Sequence, residues 1–436
     1  MWCHAVVTPS GADPRQPKGS KPATSRLRVQ RPNRSDKMLD PLGQVSNGHV
    51  RNPIFDAIGR DSLHPNEHEE SSFDFYNRIA GEYWDATRAR LEEWAAHLPD
   101  SAYADVRGRL RSGDDYEFNS TYLEIYLHEL LRRAGYAIEV HPTTNSGRRP
   151  DFLVSREEES FYLEAVSPRP SKAEQSKSAR LRRVYAVLES TSDDWWLWLD
   201  EIEEGHRTPP ATKLRSAIRA WLRDLDPNDS WETRRRPRFH WALDDWSVNL
   251  SAMPRKGIRT DRPVRSIGVY PMQSGFVDDE GRIKKALASK DRAYGQLDRP
   301  LVLALGLFTF DRDQWSFANA LWGHEAIQVS VSDPSAPAIP IRQPDGYFGW
   351  PGNWKNVGVS AVLIVDQLTP THFPSADVSV WHHAGARLPL ALDTSLPIST
   401  VLVANEELTV VRPGSTPHEH FDLPDPWPPG EGFPCV

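Results

Sequence analysis

The sequence predicts an α/β fold in which strands form a layer against helices, and three observations carry that prediction. Apolar residues recur at helical spacing over two stretches ahead of Gly135, three short strand-like runs follow directly, and a later helical stretch leads into the apolar run Leu301 to Phe308. A helical N-terminal extension precedes this core, and a Pro-rich, β-type segment follows it.

Residues 1–70 are rich in Pro, Ser, Gly, Asn and Arg with little hydrophobic periodicity, which predicts a disordered polar tail. Its first part is basic, with Arg15, Lys18, Lys21, Arg26, Arg28, Arg31, Arg34 and Lys37 against Asp13 and Asp36. A solvated tail, or a true start at Met38, is a simpler reading of it than a phosphate-binding arm.

Residues 71–118 read as a helical extension. Phe73, Tyr76, Ile79, Tyr83, Ala86, Leu91, Trp94 and Leu98 lie at helical spacing and predict an amphipathic helix or helix pair. The core is expected over 119–370. It opens with a helix from Asn119 or Ser120, both good N-cap residues, to Ala134, where Gly135 stops it.

Strands are expected at Tyr136 to Val140, Asp151 to Val154 and Phe161 to Val166, separated by a polar turn at Thr143 to Arg149 and an acidic one at Arg156 to Ser160. A polar helix follows at Lys172 to Leu188, then an apolar stretch Trp195 to Leu199 whose Trp195, Trp196 and Trp198 are expected in the core, then a helix Ala211 to Leu225. Phe239 to Leu243, Trp246 to Ala252 and Arg265 to Tyr270 read as strands. Helix Gly281 to Tyr294 leads to strand Leu301 to Phe308 and a short helix at Trp315 to Leu321. Residues 371–436 form the Pro-rich C-terminal segment, with β-type runs at Val378 to Trp381, Val401 to Val403 and Leu408 to Val411; a further run at Val357 to Val365 precedes it.

The chain of 436 residues, 39% of them hydrophobic, is long enough for two domains or one decorated domain. Its longest apolar runs fall well short of the roughly 20 residues that cross a bilayer, so no membrane span is expected. No continuous apolar stretch opens the chain, and the cytoplasm is the expected location. Cys3 and Cys435 are the only cysteines, which excludes a disulfide framework and a cysteine-based zinc site. A formal charge of −8 argues against a protein that coats nucleic acid through its overall field, while leaving room for a local basic cleft. No Gly-rich phosphate loop, dinucleotide fingerprint or Gly-x-Ser-x-Gly elbow is present.

Clustered acids carry the remaining chemistry. Asp151 opens a short strand after Pro150, and Glu164 lies in the next strand, so a hairpin brings the two together. Alternation along Phe161 to Val166 sets Tyr162, Glu164 and Val166 on one face, making Glu164 a charge in an apolar strand. Such a carboxylate needs a partner cation, since its unpaired burial costs several kcal/mol. Glu124 follows the apolar stripe Leu123, Leu127, Leu130 and Leu131 of its helix and is read either as a third acid aimed at this place or as the partner of Arg132, Arg133 or Arg148.

The run Phe118 to Tyr136 around Glu124, with His141-Pro142, Arg149-Pro150-Asp151-Phe152-Leu153-Val154 and Phe161-Tyr162-Leu163-Glu164-Ala165, resembles the helix and β-meander of restriction-endonuclease-like proteins of the PD-(D/E)xK superfamily. Arg282 to Leu287, Lys290, and Tyr294 to Leu305 resemble the helix and strand that close such cores. The resemblance implies a mixed central β-sheet flanked by helices and a metal-dependent nuclease acting on DNA. It implies Glu124, Asp151 and Glu164 as ligands of Mg²⁺ or Mn²⁺. The family's lysine belongs two residues after Glu164, where this chain has Val166. Lys172 and Lys177, with Gln175 beside them, are the nearest replacements and Lys290 a more distant one. The rival reading is a catalytically inactive nuclease-like module that binds nucleic acid or protein.

The other signals are weaker. His141, His206, His382-His383 and His418 with His420 show no paired zinc spacing. Arg234, Arg235, Arg236, Arg238 and His240, together with Arg255, Lys256, Arg259, Arg262 and Arg265, form basic stretches that either track a phosphate backbone, with Trp231 and Trp241 for stacking, or are solvated loops.

Overall fold

The computed structural model describes residues 51–192, 194–226, 236–255, 267–269, 279–290, 293–309, 314–329, 337–391, 396–404 and 407–433. The helical spacing over Phe73 to Leu98 resolves into α1 (Ser72–Arg78) and α2 (Glu82–Ala96), and a further helix that this spacing does not reach, α3 (Asp100–Leu110), follows. Gly81, at φ 113°, separates the first two in a conformation that a side chain resists, so the periodic stretch becomes a helix pair.

Helix α4 (Asp115–Arg133) starts ahead of the expected Asn119 or Ser120 because Asp114 caps it, accepting from the backbone N–H of Tyr116 and Glu117. The Ser120 hydroxyl instead bonds the Glu117 carbonyl inside the helix. Arg132 and Arg133 in the last turn suit the negative end of the helix dipole, and Gly135, at φ 82°, ends it.

An antiparallel meander follows: β1 (Ala137–Val140), β2 (Phe152–Arg156) and β3 (Glu159–Val166). The chain then leaves the sheet through α5 (Lys172–Glu189), β4 (Trp195–Glu203), α6 (Ala211–Arg223), β5 (Arg238–Leu243), β6 (Trp246–Pro254) and β7 (Ile267–Val269). It returns by α7 (Asp279–Ala288) to β8 (Leu301–Leu307) and α8 (Gln314–Trp322). Two small hairpins, β9 (Glu325–Gln328) with β10 (Ile339–Arg342) and β11 (Gly349–Trp350) with β12 (Asn353–Trp354), precede β13 (Ala361–Asp366), β14 (Asp377–His382), β15 (Ser399–Ala404), β16 (Glu407–Val411) and α9 (Pro417–Phe421).

Eight strands form one mixed sheet in the order β1-β2-β3-β8-β13-β14-β15-β16. β3, β8 and β13 run parallel to one another at its centre, β14 is parallel to β15, and the other neighbours are antiparallel. Both faces are covered, so the central strands are mostly apolar, as buried parallel strands require, with Glu164 of β3 and Asp366 of β13 as buried exceptions. Along β3, Phe161 and Leu163 join the core under α1 to α4, while Tyr162 and Val166 join the core under α7 and α8. β13 divides in the same way, with Leu363 and Val365 on one side and Val362 and Ile364 on the other. The β-type C-terminal segment contributes β14 to β16 to this sheet, so a boundary at 370/371 falls between two paired strands, β13 and β14.

Residues 52–70, expected as the end of the disordered tail, pack against the helices. Ile54 and Phe55 are buried, the Phe55 ring stacks on Phe73, and Tyr103 and Arg111 donate to the Asn52 and Ile54 carbonyls. Local composition hid this, because only the folded helices supply the donors and the apolar surface. Residues 1–50, with Met38 and the basic run, lie outside the described residues.

The segment between β3 and α7 builds a core of its own, with a four-stranded sheet ordered β5-β6-β4-β7 against α5 and α6. Trp195 is buried there as expected. Trp196 and Trp198 are not, because alternate residues of β4 face opposite sides, and both are only half-buried on the far face. Trp241, expected to be free for stacking, is buried in this core. Of the basic stretches, Arg234, Arg235, Lys256, Arg259, Arg262 and Arg265, with Trp231, lie outside the described residues. Among the described residues no helix is long and apolar enough to cross a membrane.

Trp94 of α2 ties α9 to α4. It is fully buried and its ring meets Tyr122 and Tyr126 of α4, Phe373, and Phe421 of α9. Trp94→Ala is expected to destabilise the protein by about 3–5 kcal/mol, read from the chemical-denaturation midpoint. An unchanged midpoint would contradict a core shared by these elements.

Candidate active site

Hairpin register sets the acids. Phe152 pairs with Leu163, so Asp151, one step before β2, stands opposite Glu164. The two residues brace each other: the Asp151 N–H donates to Glu164 Oε2 at 3.3 Å, and the Ala165 N–H donates to Asp151 Oδ2 at 2.7 Å. The carbonyl of Asp151 accepts from the His141 N–H across β1. His141 therefore contributes backbone, in a left-handed conformation at φ 52°.

Glu164 is 3% exposed, and the cation its burial demands is Lys290. Lys290 Nζ lies 2.5 Å from Glu164 Oε1, and the Tyr294 hydroxyl donates to Oε2. Lys290 sits in the turn just beyond α7, which ends at Ala288 rather than at the expected Tyr294. There the Ser289 hydroxyl and backbone N–H and the Lys290 N–H satisfy the last carbonyls of α7. Ile283 and Leu287 of α7 are buried in the same apolar cluster as Val166 and Tyr162 of β3. Val166 thus shares an apolar cluster with the helix that precedes Lys290.

The electrostatics follow from this crowding. Burial, then the charges of Glu164 and Glu124, push the Asp151 carboxyl up to about 8, against the Ala165 N–H and the charge of Lys290. Burial works against the Lys290 ammonium, but its hydrogen bond to Glu164 and the charges of Glu164 and Asp151 outweigh that and raise it. Burial and the neighbouring Glu164 raise the Tyr294 hydroxyl as well, keeping it a donor. Burial first, and the nearby carboxylates second, thus favour the protonated form of Asp151, while the Lys290 ammonium is hydrogen-bonded to Glu164.

Glu124 is engaged elsewhere. Arg109 grips both of its oxygens, Nη1 to Oε1 at 2.7 Å and Nη2 to Oε2 at 2.5 Å, and it pairs with none of Arg132, Arg133 and Arg148. Arg132 and Arg133, with His97, instead bond Glu129, which lies fully buried in α4. Burial alone would raise the Glu129 carboxyl, but these partners pull it down to about 2. Among the described residues no three His, Cys, Asp or Glu side chains form a metal-binding group, although Glu124, held by Arg109, is near enough for its charge to raise the Asp151 carboxyl.

Neither expected lysine reaches that pair. Lys172 is the exposed first residue of α5, and Lys177 lies 3.9 Å from Glu204. Gln175 bonds the Pro170 carbonyl. Of the other histidines singled out, His383 bonds the Lys355 carbonyl, His418 the Pro424 carbonyl and His420 the Leu130 carbonyl, and the His206 backbone N–H donates to Asp245. Sequence reading missed Tyr294 and Arg109. The only trace of the first was its spacing of four from Lys290, a spacing that on a helix would put both on one face.

Comparison with protein-family models, curated proteins and solved structures finds no match for the chain. What it does have is a mixed α/β fold, a large central sheet flanked by helices, and a carboxyl pair in which Glu164 is buried and bonded to Lys290 and Asp151 is partly buried.

The Asp151 carboxyl is raised in the folded protein above its ordinary 3.8. Its contribution to stability is therefore fully present below about pH 4 and is lost as pH rises toward about 8. Asp151→Asn keeps the acceptor for Ala165 without the charge. Thermal melts of metal-free protein are expected to coincide with wild type near pH 4 and to exceed it increasingly toward pH 9; a pH-independent difference would refute the strained pair.

Proposed function

We propose that this chain is a metal-dependent nuclease that cuts DNA in the cytoplasm through a PD-(D/E)xK-like site, with Lys290 in the role of the lysine replaced by Val166. The observation that carries this reading is Lys290 Nζ at 2.5 Å from Glu164, with Asp151 opposite on the hairpin. The order α4, β1, β2, β3, α7, β8, with β8 parallel to β3, supports it by matching the helix, meander and closing helix-strand pair of that superfamily.

The residues fit a divalent cation. Mg²⁺ is commonly held by one or two carboxylates together with waters and substrate phosphate, and a cation between Asp151 and Glu164 relieves the repulsion that keeps Asp151 protonated. When bound, such an ion supplies Lewis-acid polarisation of the phosphoryl oxygen and a water acidified toward neutral pH. The chain supplies the rest. The Ala165 N–H orients Asp151, and Tyr294 fixes Glu164. The Lys290 ammonium, kept protonated by Glu164, orients the attacking water and offsets charge growing on phosphorus.

A second reading, a nuclease-like binding module without turnover, draws on the complete pairing of Glu124 with Arg109. The two separate when purified protein is incubated with plasmid, linear duplex, single-stranded DNA and RNA in Mg²⁺ or Mn²⁺. Metal-dependent cleavage is expected, abolished by Asp151→Ala with Glu164→Ala. Lys290→Met is expected to slow it by about 100-fold or more, whereas Lys172→Ala and Lys177→Ala cut like wild type. If no cleavage depends on metal and on these acids, the enzyme reading fails.

A further inference from the structure

The sheet of the insertion carries its polar chemistry on the face opposite α5 and α6. On β4, Trp195, Leu197 and Leu199 join the core, while Trp196 and Trp198 project the other way, half-buried. Each indole carries a guanidinium over its ring, Arg255 at 4.3 Å from the Trp196 centroid and Arg236 at 4.3 Å from that of Trp198. The register aligns Trp198 with Ser251 of β6, and Ser251 with Arg238 of β5, in a row across the sheet. Arg236 and Arg238 are exposed.

The face carries both signs: Glu201 accepts from Asn249 and Asp200 accepts from Ser251 in the row itself, so these two carboxylates are tied down while Arg236 and Arg238 stay exposed beside the indoles. Residues two apart on a strand lie about 7 Å apart, a separation one extended nucleotide spans. Flat aromatic surfaces beside guanidinium groups match a chain of bases joined by phosphates: the rings take the bases and the arginines the backbone. Only a single strand leaves base faces free to stack, since a duplex buries them against one another. On a chain of net charge −8 such a patch is a local exception, as a specific binding surface requires.

We propose that this face of the inserted sheet binds single-stranded nucleic acid, stacking bases on Trp196 and Trp198 and holding phosphates with Arg236 and Arg238. The proposal uses neither Asp151 nor Glu164 and stands apart from the catalytic reading. It gives the protein a second, metal-independent hold on nucleic acid.

Binding is measured by fluorescence anisotropy with labelled oligothymidylate, oligouridylate and a duplex, using the full chain in chelator. Oligothymidylate or oligouridylate is expected to bind more tightly than the duplex. Trp196→Ala with Trp198→Ala is expected to weaken that binding at least about tenfold with unchanged circular dichroism, and the double Phe variant to restore most of it. Arg236→Ala is expected to flatten the salt dependence. Asp151→Ala with Glu164→Ala should bind like wild type, so loss of cleavage and loss of binding are told apart. No binding at low salt, wild-type affinity in the double Ala variant, or failure of the Phe pair to restore binding would overturn the proposal.

Discussion

A carboxylate in the middle of an apolar strand has to be neutralised where it lies, and the placement of Glu164 on β3 organises much of what surrounds it. Its face of the sheet is covered by α7, so its partners come from just beyond that helix: Lys290 at one oxygen, Tyr294 at the other. For Lys290 to arrive there, α7 must dock on Tyr162 and Val166, and β8 must lie parallel beside β3. Val166 belongs to the same apolar cluster as Ile283 and Leu287 of the helix that leads to Lys290.

The same strand couples this side of the sheet to the other. Phe161 and Leu163 face α4, whose ring of aromatic neighbours gathers Trp94 from the N-terminal helices and Phe421 from α9. The insertion departs directly after β3 and returns ahead of α7, the element that leads to Lys290. Its apolar residues form a cluster of their own between these two points, apart from the β3–β8 pairing.

The electrostatic state of the pair reflects a shortage of positive charge. Lys290 answers Glu164 directly, and Asp151, receiving one backbone N–H and a more distant share of that ammonium, keeps a proton. Glu124 adds to the negative field at Asp151, although Arg109 holds its own oxygens.

Periodicity by itself determined the helices of the extension, α4, the three-strand meander and the apolar strands β8 and β13, because burying one face or both leaves a repeat in the chain. It also determined that Asp151 and Glu164 meet, since a short hairpin leaves them little choice. Only the tertiary structure decided which cation serves them. Lys290 is 126 residues away in sequence, and its arrival depends on how α7 docks. It decided likewise that Arg109 takes Glu124, that residues 52–70 pack, and that Trp196 and Trp198 face outward. Each depends on surface created by distant elements, and for an isolated segment that information does not exist.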